Sequence, residues 1–188
     1  MRTNKLMLFQ HVSLKNMILA SLFAALTGLG AFIVIPVYPV PFTLQTLFTY
    51  LSAMLLGSRI GVLSQIIYLF LGLVGLPVFA AGKAGPGVLL GPTGGYLWGF
   101  VISAYVIGYL IERKPVRKMW DFFLAGTIGL LVINIFGALQ LKAVTDLNFR
   151  AVLLAGVFPF IAGDFIKILT ASFITHKLKL ALTLNRML

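Results

Sequence analysis

Six apolar runs, 14–35, 42–56, 61–76, 94–111, 119–141 and 151–175, take up most of this 188-residue chain, and only the connection 77–93 between them is long. A stretch of about 20 apolar residues matches the hydrocarbon core of a bilayer. Backbone placed in lipid must satisfy its own hydrogen bonds, which points to helices. The expected fold is all-α: a polytopic membrane protein in which residues 1–188 form one integral-membrane domain, a bundle of six transmembrane helices. The runs 42–56 and 61–76 are short for a crossing, so tilted or re-entrant segments and a five-span count stay open. With 60% hydrophobic and 10% charged residues, the chain lacks the polar surface of a soluble domain. The first run has a basic start but is about as long as a span and is followed by others, so it reads as a first helix and not as a cleaved signal peptide.

The net charge of +11 invites a nucleic-acid reading, and the distribution of that charge argues against one. With both termini inside, Arg2, Lys5, Lys15, Arg59, Arg113, Lys114, Arg117, Lys118, Lys177, Lys179 and Arg186 are cytoplasmic, and Lys83, Lys142 and Arg150 lie outside. This is the positive-inside pattern and predicts an N-in, C-in topology. No basic stripe with interleaved aromatics is present, so no nucleic acid is expected as a partner. The absence of cysteine removes disulfides, thiolate metal sites and thiol nucleophiles.

Inside the otherwise uncharged run 151–175 stand Asp164 and, three residues on, Lys167. A charge in the bilayer interior costs about 2.5–3.5 kcal/mol on insertion scales, so such residues mark a site or are paired. At i and i+3 they share a helix face, and together they can line one cavity. The plainer reading is an ion pair that ties helices together.

Three further segments can converge on that pair. Pro36, Pro39 and Pro41 stiffen a loop that opens the second run with Thr43 and Gln45, either ligand contacts or simple caps. The glycine-rich stretch 77–93, expected to face outward as an irregular loop capping the site, carries Phe79, Ala80 and Gly82 and leads to Gly94, Gly95 and Tyr96. Free amides at that helix start suit a carboxylate, although such glycines also serve chain reversal alone. Asn134 is a bare amide within the fifth run. Phe79, Tyr96 and Trp98 are candidates for an apolar wall, or for the interfacial belt. On the first run, Ala20, Ala24 and Gly28 recur every fourth residue and would admit another helix backbone, from a partner or from within the bundle.

No phosphate-binding loop of Walker spacing occurs, and no internal repeat suggests a self-sufficient transporter. Import driven by ATP would draw on other chains. His11 and His176 lie at cytoplasmic ends, and Glu112, Asp121 and Asp146 lie near loops, so no catalytic or metal-binding constellation assembles within the membrane. No cofactor is expected.

Taken together, Pro39-Val40-Pro41-Phe42-Thr43-Leu44-Gln45-Thr46, Gly57-Ser58-Arg59-Ile60-Gly61, Gly75-Leu76-Pro77-Val78-Phe79-Ala80 and Pro92-Thr93-Gly94-Gly95-Tyr96-Leu97 resemble the BioY family, and the likeness resumes at Gly163-Asp164 with Lys167. These are the biotin-specific substrate-binding, or S, components of energy-coupling factor (ECF) transporters. The resemblance implies a plasma-membrane protein that captures biotin from outside for ATP-driven import. Its partners would be a transmembrane coupling protein and two ATPase subunits, with the Ala20/Ala24/Gly28 stripe as docking face. Biotin is then cargo and not a cofactor. One departure is local: similar proteins often carry proline directly before the Gly-Asp pair, where this chain has Ala162 and places Pro159 earlier. A stand-alone small-solute transporter or channel is the alternative, and an intramembrane enzyme is the weakest reading.

Overall fold

The computed structural model describes residues 13–114 and 118–184. Of the residues weighed above, Arg2, Lys5, His11, Arg117 and Arg186 lie outside that range. Among the described residues the fold is mostly helical, and five helical stretches are long and apolar enough to cross a membrane: Leu14–Phe32, Gln45–Leu73, Gly94–Glu112, Met119–Val144 and Phe149–Leu182.

Helix α1 (Leu14–Phe32) starts at Ser13, whose side chain accepts from the Asn16 N–H at 3.3 Å. It ends three residues earlier than the apolar run, because Pro36, Pro39 and Pro41 cannot continue a helix. The chain instead forms a two-residue antiparallel pair, β1 (Val34–Ile35) with β2 (Phe42–Thr43), in the register Val34 to Thr43 and Ile35 to Phe42. This small sheet was not expected of an all-α chain.

Helix α2 (Gln45–Leu73) carries the second and third apolar runs, and it is not straight. Gly57 sits at φ 82°, ψ −176°, a backbone region open essentially to glycine alone. Thr49 Oγ1 donates to Gln65 Oε1 at 3.2 Å, and Gln65 Nε2 to Ser52 Oγ at 3.4 Å. In an unbroken helix residues 49 and 65 would be about 24 Å apart. The segments 45–56 and 58–73 therefore fold back on each other at Gly57. Gly61 makes the approach possible, since a Cβ there would lie 2.9 Å from Ala53 Cα. Glu112 fixes the tip: its carboxylate accepts the Ser58 N–H and the Ser58 hydroxyl, both at 2.8 Å.

The stretch 77–93 is less irregular than its glycines suggest. It contains a 3-10 turn, Ala80–Gly82, and a short helix α3 (Pro86–Leu90) with proline in its first turn. Helices α4 (Gly94–Glu112) and α5 (Met119–Val144) follow the expected runs closely and pack against each other. Gly99 lets the backbones close in, since a Cβ there would meet Ile133 Cα at 2.9 Å.

The run 151–175 is not one helix. It divides into α6 (Phe149–Gly156), a 3-10 turn Phe158–Phe160 with Pro159 inside it, and α7 (Ile161–Leu184). Pro159 removes a backbone donor and ends α6 just before it. Asp164 thus stands in the first turn of α7 and not mid-span.

The stripe Ala20, Ala24 and Gly28 also needs correction as a docking face. Ala20 and Ala24 are at most 1% exposed and Gly28 is buried with Val78 beside it, so all three pack inside the chain. Their small size lets α1 sit close to α2, where Gln65 Nε2 reaches Thr27 Oγ1 at 3.5 Å.

Gly57→Ala is expected to destabilise the protein by about 1–3 kcal/mol, because alanine tolerates neither the backbone angles nor the nearby Glu112 carboxylate. Thermal unfolding of the purified protein in detergent measures this. An unchanged midpoint would show that the hairpin tip relaxes around a side chain.

Candidate functional site

The starts of α2, α4 and α7, the later half of α5 and the loops beside them gather at one end of the bundle around a cavity of about 360 Å³. The charged pair forms one wall. Lys167 Nζ donates to Asp164 Oδ1 at 2.8 Å, to Thr46 Oγ1 at 2.9 Å and to the Thr43 carbonyl at 2.8 Å. Thr46 Oγ1 in turn donates to Asp164 Oδ1 at 3.3 Å. Both charged residues are at most 6% exposed, and the ammonium lies 3.7 Å from the Phe42 ring centroid. An ammonium has three donors, and all are engaged. Asp164 Oδ2 makes no hydrogen bond among the described residues, and Asp164 lines the cavity.

Local sequence explains how α7 gets this close. At Gly163 any Cβ would strike the Phe42 ring, so glycine before Asp164 lets the helix start press on β2. Phe42 then stacks on Phe160 with ring centroids 6.0 Å apart and planes at 11°. The opposite wall is also held from behind. Gln45 Nε2 donates to the Tyr68 hydroxyl and Gln45 Oε1 accepts from Thr43 Oγ1 at 2.8 Å. Tyr68 meets Phe79 edge to face at 5.6 Å. Tyr96 lends its ring to the cavity while its hydroxyl donates to the Gly156 carbonyl at 2.8 Å, joining α4 to α6. Leu97, Phe100 and Ile133 complete an apolar surface, and Asn134 brings a side-chain amide with no hydrogen bond among the described residues.

Of the residues singled out from sequence, Thr43, Gln45, Phe79, Ala80, Tyr96, Asn134, Asp164 and Lys167 line this cavity, and Gly82, Gly94, Gly95 and Trp98 do not. The two glycines at the start of α4 serve packing: added Cβ atoms would run into the Leu89 carbonyl at Gly94 and the Phe136 carbonyl at Gly95. Gly82 supplies a positive φ of 72° in its turn. Trp98 is 46% exposed on the outer side of α4.

Sequence reasoning passed over Thr46, Phe42, Phe160 and Gln140. The first two stood inside the motif 39–46, and Thr46 lies at the i+3 spacing from Thr43. Gln140 Nε2 donates to the Leu89 and Gly91 carbonyls at 2.8 and 2.9 Å, which secures the loop before α4. Nothing in the sequence marks that contact.

The sequence profile of the BioY family matches residues 2–183. A biotin transporter BioY of Thermotoga maritima is 44% identical over 167 residues, 88% of this chain and 96% of that protein. A probable biotin transporter BioY of Pyrococcus horikoshii is 41% identical, again over 88% of this chain and 96% of its own length. Among solved structures, the S-component for biotin from an ECF-type ABC transporter superposes with a TM-score of 0.81 at 26% identity, covering 88% of this chain and 90% of that one.

Lys167→Met leaves a buried carboxylate without its ammonium and is expected to cost about 3–5 kcal/mol of stability. The double variant Asp164→Asn, Lys167→Met removes both charges and should recover much of that loss. Thermal unfolding of the ligand-free proteins compares them. A double variant no more stable than Lys167→Met would mean that the pair is not coupled as its geometry indicates.

Proposed function

This chain belongs to the BioY family, and we propose that it is a membrane-embedded substrate-binding subunit that captures biotin for uptake. The observation that carries the reading is the Asp164–Lys167–Thr46 cluster on the wall of an otherwise largely apolar cavity. Biotin presents two ureido N–H donors, a ureido oxygen, an apolar bicycle and a carboxylate tail. Asp164 Oδ2 accepts from a ureido N–H, a charge-assisted bond in a water-poor site. The Asn134 amide faces the same cavity and donates to the ureido oxygen. Phe42, Phe160, Tyr96 and Phe100 enclose the bicycle. Lys167, its donors engaged, holds Asp164 in one orientation. Thr43, Gln45, Phe79 and Ala80 shape the remaining wall, and Gly82, Gly94 and Gly95 act by letting the loop and α4 come close.

Two apolar segments facing each other across Gly57 support counting 45–56 and 58–73 as two crossings, which with the other helices makes six. The basic residues Arg59, Arg113, Lys114 and Lys118 lie at the end away from the cavity, which supports an N-in, C-in topology in the plasma membrane. The cavity then opens outward, under the segment 77–93. Import against a gradient needs energy, and the sequence holds no ATP-binding loop. The likeness to an S-component supports a separate ECF module of a transmembrane coupling protein and two ATPases as its source. The chain itself performs binding and no chemistry.

Equilibrium binding of radiolabelled biotin to the purified protein, without ATP or any other chain, tests this reading. Asp164→Asn halves the acceptor capacity and unbalances Lys167, so binding is expected to weaken by about 2–5 kcal/mol. A folded Asp164→Asn protein within threefold of wild type would remove Asp164 from the site. Biotin flux through liposomes holding this chain alone would favour a stand-alone transporter.

A further inference from the structure

We infer that Lys83 is the residue that recognises the carboxylate of the bound vitamin, so that biotin lies with its ureido end against Asp164 and its acidic tail at the loop. The inference rests on the biotin reading and adds an orientation and a specificity determinant to it. A carboxylate brought into an apolar cavity needs a cation or several N–H donors. Among the described residues two cations line the cavity, Lys167 and Lys83. Lys167 is unsuited to the task. Its three donors are held by Thr43, Thr46 and Asp164, and an arriving carboxylate would have to displace one of them beside the Asp164 anion. The amides at the start of α4 offer little either. The Gly94 N–H is bonded to the Gly91 carbonyl at 3.1 Å, and Gly94 and Gly95 turn toward Leu89 and α5.

Lys83 has neither problem. It is exposed, and its ammonium has no hydrogen bond or ion pair among the described residues. Among the described residues Asp164 is the only acid lining the cavity, so none of them neutralises Lys83 there. Its backbone, by contrast, is held firmly. Phe79 N–H donates to the Lys83 carbonyl at 3.0 Å and Gly82 N–H to the Phe79 carbonyl at 3.0 Å. Ala81 takes a left-handed φ of 58° to close that turn, and the Phe79 ring is fully buried against Tyr68 and Gly72. A free ammonium on a long, flexible side chain is thus mounted on a fixed base at the cavity rim. That arrangement suits the end of a four-carbon tail.

The test compares biotin with biotinamide, whose tail is neutral, by competition against radiolabelled biotin on the purified full-length protein. Wild type should prefer the acid by about two- to fivefold, the scale of a solvent-accessible ion pair. Lys83→Gln should lose that preference by weakening biotin alone and leaving biotinamide unchanged, while Lys83→Arg keeps it. Asp164→Asn should weaken both ligands equally. Equal affinity of wild type for the two ligands, or a Lys83→Gln protein that still prefers the acid, would overturn the assignment. So would loss of both ligands in Lys83→Gln without rescue by arginine, which would make the residue structural. A wild-type protein that binds neither ligand would end the biotin reading itself.

Discussion

The three hydrogen bonds of the Lys167 ammonium decide the geometry of this protein's upper half. An ammonium removed from water must find its partners within the protein, and here they come from one turn of α7 and from a segment more than a hundred residues earlier, Thr43 and Thr46. The requirement pulls the start of α7 onto β2 and the start of α2. Gly163 permits the approach, Phe42 is held under the ammonium, and the stacked pair of Phe42 and Phe160 follows. The charged cluster therefore builds the cavity wall as well as the acceptor exposed on it.

Below that wall, polar side chains continue to hold helices together. From Thr43 a buried chain of hydrogen bonds runs through Gln45 and Thr49 to Gln65, whose amide reaches Thr27, Ser52 and Ser64. Lipid tails are as apolar as leucine, so burial of hydrocarbon between helices adds little drive to assemble them. Close packing and interhelical hydrogen bonds supply it instead. Gln65 meets both needs, joining α1 to the two arms of α2, and the small residues around it let the backbones come near enough. The same chain of bonds begins at residues that line the cavity, so the site and the scaffold are made of one network.

Much of the architecture was legible in the sequence because hydrophobic length is a strong signal: the runs 94–111 and 119–141 became α4 and α5 almost unchanged. The candidate site was legible through charge, since Asp164 and Lys167 have no ordinary place in an apolar run. Facing was not legible. The Ala20/Ala24/Gly28 stripe reads alike whether it meets a partner or its own α2, because inside and outside of a membrane helix are both apolar and amphipathicity loses its meaning. Gly94 and Gly95 misled for a related reason. Glycine marks close approach, but which backbone approaches is a tertiary fact. Pro159 announced a break in the last run, yet the presence of Asp164 in the first turn after it depended on where α6 stopped.

The closed side of the cavity bears on what such a protein can do alone. Toward the basic end the helices shut tightly. Tyr50, Met54, Ile107 and Ile168 are fully buried, and α2, α5 and α7 touch where a Cβ on Gly126 would lie 2.7 Å from Ile168 and 2.9 Å from Met54. Packed interiors of this kind do not deform continuously, so a ligand held against Asp164 does not pass toward that end unless these helices part. Parting them breaks the contacts that hold the bundle, at a cost that binding energy used to capture the ligand cannot also supply. Capture of a ligand on one side and its release on the other therefore oppose each other in a bundle packed this way.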